Sequence, residues 1–139
     1  MYKSILVAAD GSDHSIRTAE QAAELARLQQ EAFITIMYVV DGDRSKYDAI
    51  NEGNKESIQR KRHERLAPVE QVFKQEGLDY KLEIQRGDPG PSIVKFANDE
   101  KFDIVIIGSR GLNTLQEMVL GSVSHKVAKR AHCPVMIVK

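Results

Sequence analysis

The chain has 139 residues, a length that suits one domain around one core. It is 42% hydrophobic and 29% charged, and its twenty basic and twenty acidic residues balance to a formal net charge of zero. Nothing global therefore points to nucleic acid or to an anionic membrane, and no apolar run approaches the ~20 residues that cross a bilayer.

In chain order, MYKSILVAADGS carries one lysine and a short apolar run that stops at Asp10. That run reads as a strand, Ser4 to Ala9, rather than as a signal peptide. Ser12 or Asp13 then caps a helix whose apolar face is Ile16, Ala19, Ala23 and Ala26. FITIMYVV, Phe33 to Val40, is a second strand. A long polar stretch from Asp41 to about Gly77 follows, and its later part carries the helical stripe Ile58, Leu66, Val69 and Phe73. Pro68 interrupts the stripe and is expected to kink or restart the helix. The basic cluster Arg60, Lys61, Arg62 and Arg65 is flanked by acids and reads as a solvated helix face, not a nucleic-acid patch.

DYKLEIQ, Asp79 to Gln85, alternates as a half-buried third strand. After the turn GDPGP, Pro91 opens a helix with Ile93, Val94 and Ala97. FDIVIIG, Phe102 to Gly108, is apolar on both faces and so reads as a central strand. A last helix, from about Ser122 to Ala131, points Val123, Val127 and Ala131 inward. PVMIVK, Pro134 to Lys139, closes the series as a fifth strand. Such alternation implies a single α/β domain: a parallel sheet with helices on both faces, joined by right-handed crossovers. Cys133 is the one cysteine, so it has no internal disulfide partner and fits a reducing cytoplasm. Beside Pro134 it reads as a plain core thiol rather than half of a metal pair with His132.

In an open parallel sheet, ligands sit beyond the carboxyl ends of the strands where the winding reverses. Two strands end in suitable residues: the first in Asp10-Gly11-Ser12, the fourth in Gly108-Ser109-Arg110-Gly111. Gly108 and Gly111 permit tight turns and close approach to the main chain, and glycine at 121 suits any backbone with φ > 0. Gly121-Ser122 opens the last helix, whose free N–H groups and partial positive charge favour phosphate. Ser122 and Ser124 add hydroxyl donors, and Arg110 adds charge. The spacing is compatible both with a phosphate cradle and with ordinary turn glycines. The P-loop and the dinucleotide G-x-G-x-x-G pattern are absent, as is a G-x-S-x-G nucleophile elbow. His14, His63 and His125 read as surface residues rather than catalysts.

At these residues the sequence resembles the universal stress proteins. Their ATP-binding signature, G-2x-G-9x-G-[ST], is matched in full by Gly108, Gly111, Gly121 and Ser122. ILVAADGSDHS, the stretch GDPGPSIVKFANDEKFDIVIIGSRG and the closing GSVSHKVAKRAHCPVMIVK are also similar, so the likeness covers the whole chain. The resemblance implies a five-stranded sheet in order 3-2-1-4-5, Rossmann-like, with ATP or another adenine nucleotide at the switch point. It places Asp10 near the ribose or a metal-bound phosphate and the main chain of Val39 at the adenine edge. Gly108, Arg110 and Gly111 would line the ribose and phosphates. Gly121, Ser122, Val123 and Ser124 would hold phosphate at the helix start.

The expectation is a cytoplasmic nucleotide-dependent regulatory or protective protein of stress physiology, with Mg²⁺ accompanying the nucleotide through Asp10. The resemblance implies slow hydrolysis at most, and no residue is an obvious general base for a water on the γ-phosphate; Asp10, the one candidate, reads better as a ligand to ribose or Mg²⁺. A homodimer through the last strand is expected, because VMIVK is a bare apolar edge. Two rivals fit less well. An adenylylating ATP pyrophosphatase wants an S-G-G-x-D-S loop, of which DGSDHS has only part. A receiver-like phospho-switch using Asp10 wants an acid where the third strand ends in Gln85-Arg86-Gly87.

Overall fold

A computed structural model describes residues 1–40, 55–109 and 121–139, with side chains from 59 onward in the second of these segments. The strands are β1 (Ser4–Ala8), β2 (Phe33–Val40), β3 (Tyr80–Arg86), β4 (Ile104–Gly108) and β5 (Val135–Val138). The helices are α1 (Asp13–Arg27), α2 (Lys55–Gln75), α3 (Pro89–Asp99) and α4 (Ser122–Arg130). The sheet order is β3-β2-β1-β4-β5, and every neighbouring pair is parallel. The winding runs outward from β1 to β3, then jumps back to β4, so the switch point lies between β1 and β4.

Alternation of side chains along each strand divides the core in two. Ile5, Val7, Ile34, Ile36, Tyr38, Ile104 and Ile106 face one side, where they pack with Ala19, Ala22, Ala23 and Ala26 of α1 and Leu66, Val69 and Phe73 of α2. Leu6, Ala8, Met37, Val105 and Ile107 face the other, against Ile93 and Ala97 of α3 and Val127 of α4. The small alanines of α1 let that helix lie close over the sheet. β4 is central, as its apolar run requires, and β5 is an edge.

Several boundaries differ from the pattern-based expectation. β4 begins at Ile104, because Asp103 stands at its mouth and accepts the N–H groups of Lys3 and Ser4 at 2.9 and 3.0 Å. α3 starts two residues before Pro91, with Pro89 in its first turn. α2 does not restart at Pro68 but runs through it. Pro68 and Glu64 are both exposed, so the carbonyl that loses its partner faces water, which limits the cost. Ile58 of the predicted stripe lies among the side chains outside the described residues.

Two assignments are corrected by burial. His14 is not a surface residue: it is 8% exposed and stands on the inner face of α1 with Ser15, Thr18 and Ala22. Ile16 is only half-buried, at the flank of that face. The basic cluster is also not one solvated face. Arg60 and Lys61 are exposed, but Arg62 and Arg65, three residues apart, both turn half inward. His63, His125 and His132 are exposed. Cys133 packs against the second core, and burial raises its thiol pKa above the ordinary value.

Candidate functional site

Because β1 and β4 pair directly, the chain leaves them side by side at one edge of the switch point. The first exit is Asp10-Gly11-Ser12. Gly11 has φ +82, a left-handed conformation that glycine adopts without strain. A Cβ there would also fall on the side-chain stem of Arg65, which crosses from α2. The Arg65 guanidinium donates to the Tyr38 hydroxyl at 2.8 Å, fastening α2 over the end of β2. The Asp10 carboxylate accepts from the Ser12 amide (3.0 Å), the Ser12 hydroxyl (2.6 Å) and the Ser15 hydroxyl (2.8 Å). Ser12 is the N-cap of α1, yet its side chain does not cap the helix; its hydroxyl is turned back to donate to Asp10.

Next to this loop, the ladder between β1 and β2 ends with the Ala9 amide donating to the Met37 carbonyl at 2.9 Å. Two residues on, the main chain of Val39 points to the same side by the pleat of the strand, past the end of β1. Its N–H and C=O thus form a donor–acceptor edge beside Asp10. The Val39 side chain packs against the second core.

The second exit is built around Ser109 and Gly121. The Ser109 amide donates to the Val138 carbonyl at 2.8 Å, and the Ser109 carbonyl accepts the Gly121 amide at 2.9 Å. The two ends of the glycine loop are therefore closed on each other beside β5. Arg110 and Gly111 lie outside the described residues. Gly121 is the N-cap of α4 with φ −62, an ordinary extended conformation. A side chain at 121 would therefore meet no positive-φ strain. The first intrahelical bond is from the His125 amide to the Gly121 carbonyl, 3.0 Å, and among the described residues no side chain caps the start. The amides of Ser122, Val123 and Ser124 accordingly have no intrahelical acceptor. The first turn carries no acid, and Lys129 and Arg130 lie in the last.

The hydroxyls expected there are not equivalent. Ser122 is exposed. Ser124 is 2% exposed, and its hydroxyl donates to the Gly121 carbonyl at 3.0 Å and lies 3.4 Å from the Ser109 carbonyl. Its one proton is thus directed into the protein. Gly108 has a use that sequence reasoning missed. A Cβ on it would collide with His14 Cδ2 and lie 3.1 Å from both His14 Nε2 and Thr18 Oγ1. The available signal was the spacing of His14, Thr18 and Ala22, a polar extension of the inward face of α1. Among the described residues no group of three or more His, Cys, Asp or Glu side chains could hold a metal ion, and no helix is long and apolar enough to cross a membrane.

This sheet order, with its reversal in winding between β1 and β4, defines an open, doubly wound α/β protein. The chain belongs to the universal stress protein family, whose sequence profile matches residues 1–139. Universal stress protein MJ0531 of Methanocaldococcus jannaschii is 34% identical, over all of this chain and 83% of that protein. Universal stress protein YxiE of Bacillus subtilis is 33% identical over the full length of both chains. Among solved structures, hypothetical protein MJ0577 superposes with a TM-score of 0.85 at 29% identity, covering 100% of this chain and 96% of that one. A universal stress protein in complex with cAMP gives 0.72 at 26% identity, covering 99% and 96%. The universal stress protein from Archaeoglobus fulgidus in complex with dAMP gives 0.74 at 25% identity, covering 99% and 98%.

Proposed function

We propose that this protein binds an adenine nucleotide, ATP in the first instance, at the switch point. On this reading it acts in the stress response through the bound nucleotide rather than through turnover. The observation that carries the reading is the uncapped start of α4, closed against Ser109 where β4 leaves the sheet. Helix-start amides without an intrahelical acceptor, at the positive end of a helix, favour phosphate over water or a neutral group. The Val39 main chain offers the donor–acceptor edge an adenine ring needs, and two structural neighbours were solved with cAMP and dAMP. Gly108, Arg110 and Gly111 line the ribose and phosphates in this reading, and Gly121, Ser122, Val123 and Ser124 hold the phosphate end.

Asp10 stands at the ribose side or beside a Mg²⁺ ion carried by the nucleotide. A single carboxylate suits magnesium, which takes its remaining ligands from phosphate oxygens and water. Calorimetric titration with ATP, AMP and adenosine tests the reading, with mass spectrometry of whatever nucleotide is released from the denatured protein. Binding of ATP well above adenosine is expected. Equal, negligible heats for all three would end it.

The working form in this reading is a cytoplasmic homodimer joined through β5. That strand is an edge, with Val135, Met136 and Ile137 half-buried, and antiparallel pairing about a two-fold axis would cover it. Light scattering should give a dimer at micromolar concentration. Met136→Pro, which removes an amide from the middle of the strand, should give a monomer.

A further inference from the structure

The Val138 carbonyl, near the end of β5, accepts two hydrogen bonds. One comes from the Ser109 amide at 2.8 Å and the other from His14 Nε2 at 2.7 Å. A carbonyl can only accept, so Nε2 carries the proton. Ser109 in turn accepts the Gly121 amide, so both ends of the glycine loop are referred to one carbonyl on the edge strand. His14 reaches that carbonyl from the first turn of α1, across the end of β4, and is 8% exposed. Its ring occupies the volume that any side chain at Gly108 would need.

We infer that His14 is the positioning residue for the Ser109–Gly121 contact, and that position 108 is glycine to admit this imidazole rather than to admit the nucleotide. The first glycine of the motif and the last then act differently. Gly121 opens helix amides to a ligand, whereas Gly108 lets α1 brace the Val138 carbonyl from which Ser109, and through it Gly121, is held. The affinity readout below rests on the nucleotide reading, whereas the steric claim does not.

Replacement of His14 separates the hydrogen bond from packing. Glutamine carries an N–H donor of similar reach, whereas leucine fills the space without one. His14→Leu should weaken ATP binding about tenfold, the effect of one lost buried hydrogen bond, and His14→Gln should stay within about threefold of the native protein. Val69→Ala, in the core beneath α2, should lower the thermal midpoint without changing affinity, which shows that stability loss alone does not move the readout. If His14→Gln loses as much as His14→Leu, the hydrogen bond does not position the loop.

The steric half is tested by a double-mutant cycle. Gly108→Ala should cost more than about tenfold in affinity in the native background, and less than about twofold when added to His14→Ala, where the colliding ring is gone. Thr18 Oγ1, the remaining neighbour at 3.1 Å, can yield by rotation of its side chain. An equal cost in both backgrounds overturns the inference, because the glycine is then needed by the ligand or the loop itself. Should Gly108→Ala fail to fold, folding of the double variant supports the inference, and failure of both overturns it. If the native protein binds no ATP, the nucleotide reading falls alone. The cycle is then read from thermal midpoints, where equal losses from Gly108→Ala in both backgrounds overturn it.

Discussion

The dipeptide Gly-Ser occurs at the start of two helices here, and the two copies do opposite things. Before α1, Gly11 takes φ +82 and Ser12 is the N-cap. Asp10 gathers the Ser12 amide and the hydroxyls of Ser12 and Ser15, and Asp13 adds a second acid in the first turn. The positive end of α1 is thus already met by carboxylates. Before α4, Gly121 is itself the N-cap at φ −62, the register is displaced by one residue, and no acid stands in the first turn. Among the described residues, no carboxylate meets the start of α4. The helix dipole is the same physical quantity at both places, but the first turn of α1 carries an acid and that of α4 carries none, and the proposed phosphate site rests on that difference. A glycine–serine pair is therefore not a phosphate site until the charge around the helix start is counted.

The largest effect expected from breaking this contrast is at Gly121. Valine tolerates φ −62, so Gly121→Val should fold, yet its branched side chain would stand over the amides that phosphate must approach. ATP binding should fall more than about a hundredfold, beyond detection by calorimetry, with an unchanged circular dichroism spectrum. Binding at the native level would place the phosphate cradle elsewhere. Ser122→Ala is milder, because the amides remain. Loss of one hydrogen bond to a charged group costs about 1.5–3 kcal/mol, roughly ten- to a hundredfold in affinity. Its counterpart, Ser12→Ala, should leave ATP affinity within about threefold and lower stability by about 1 kcal/mol, because that hydroxyl serves Asp10. Equal effects at the two serines would erase the distinction between the loops.

Asp10 sharpens the comparison through magnesium. ATP should bind the native protein more tightly with Mg²⁺ than with a chelator, and Asp10→Asn should shrink that difference to less than about threefold. Equal affinities in the native protein with and without chelator would leave Asp10 a loop-building residue alone. The smallest effect should come from Ser124→Ala. The hydroxyl bridges two main-chain carbonyls, so thermal unfolding should show about 1 kcal/mol of lost stability with affinity nearly preserved.

Much of the fold was legible because it rests on local periodicity. The strands around Ile36 and Ile106 are apolar on both faces, as central parallel strands must be, and the stripe Leu66, Val69 and Phe73 fixed the inner face of α2. The sheet order came from likeness to a family, because hydrophobic alternation does not say which parallel strands are neighbours. Within the site, the glycine spacing marked the α4 start, and the first strand's exit was visible at Asp10. Legibility ended wherever a residue's role depends on what lies across from it. His14 reads as polar and exposed, and Arg65 as one of a solvated cluster, until α1 and α2 are laid on the sheet.

By itself, then, the sequence determined the alternating α/β architecture and the candidate residues, because hydrophobic period and glycine placement are properties of consecutive residues. Only the tertiary structure decided that Ser124 directs its hydroxyl inward, that Gly121 needs no unusual backbone, and that Gly108 makes room for His14. Each of those is a contact between residues fifteen to more than ninety positions apart or a dihedral angle set by packing. Such contacts are fixed by how elements meet in space, and composition along the chain does not encode that meeting locally.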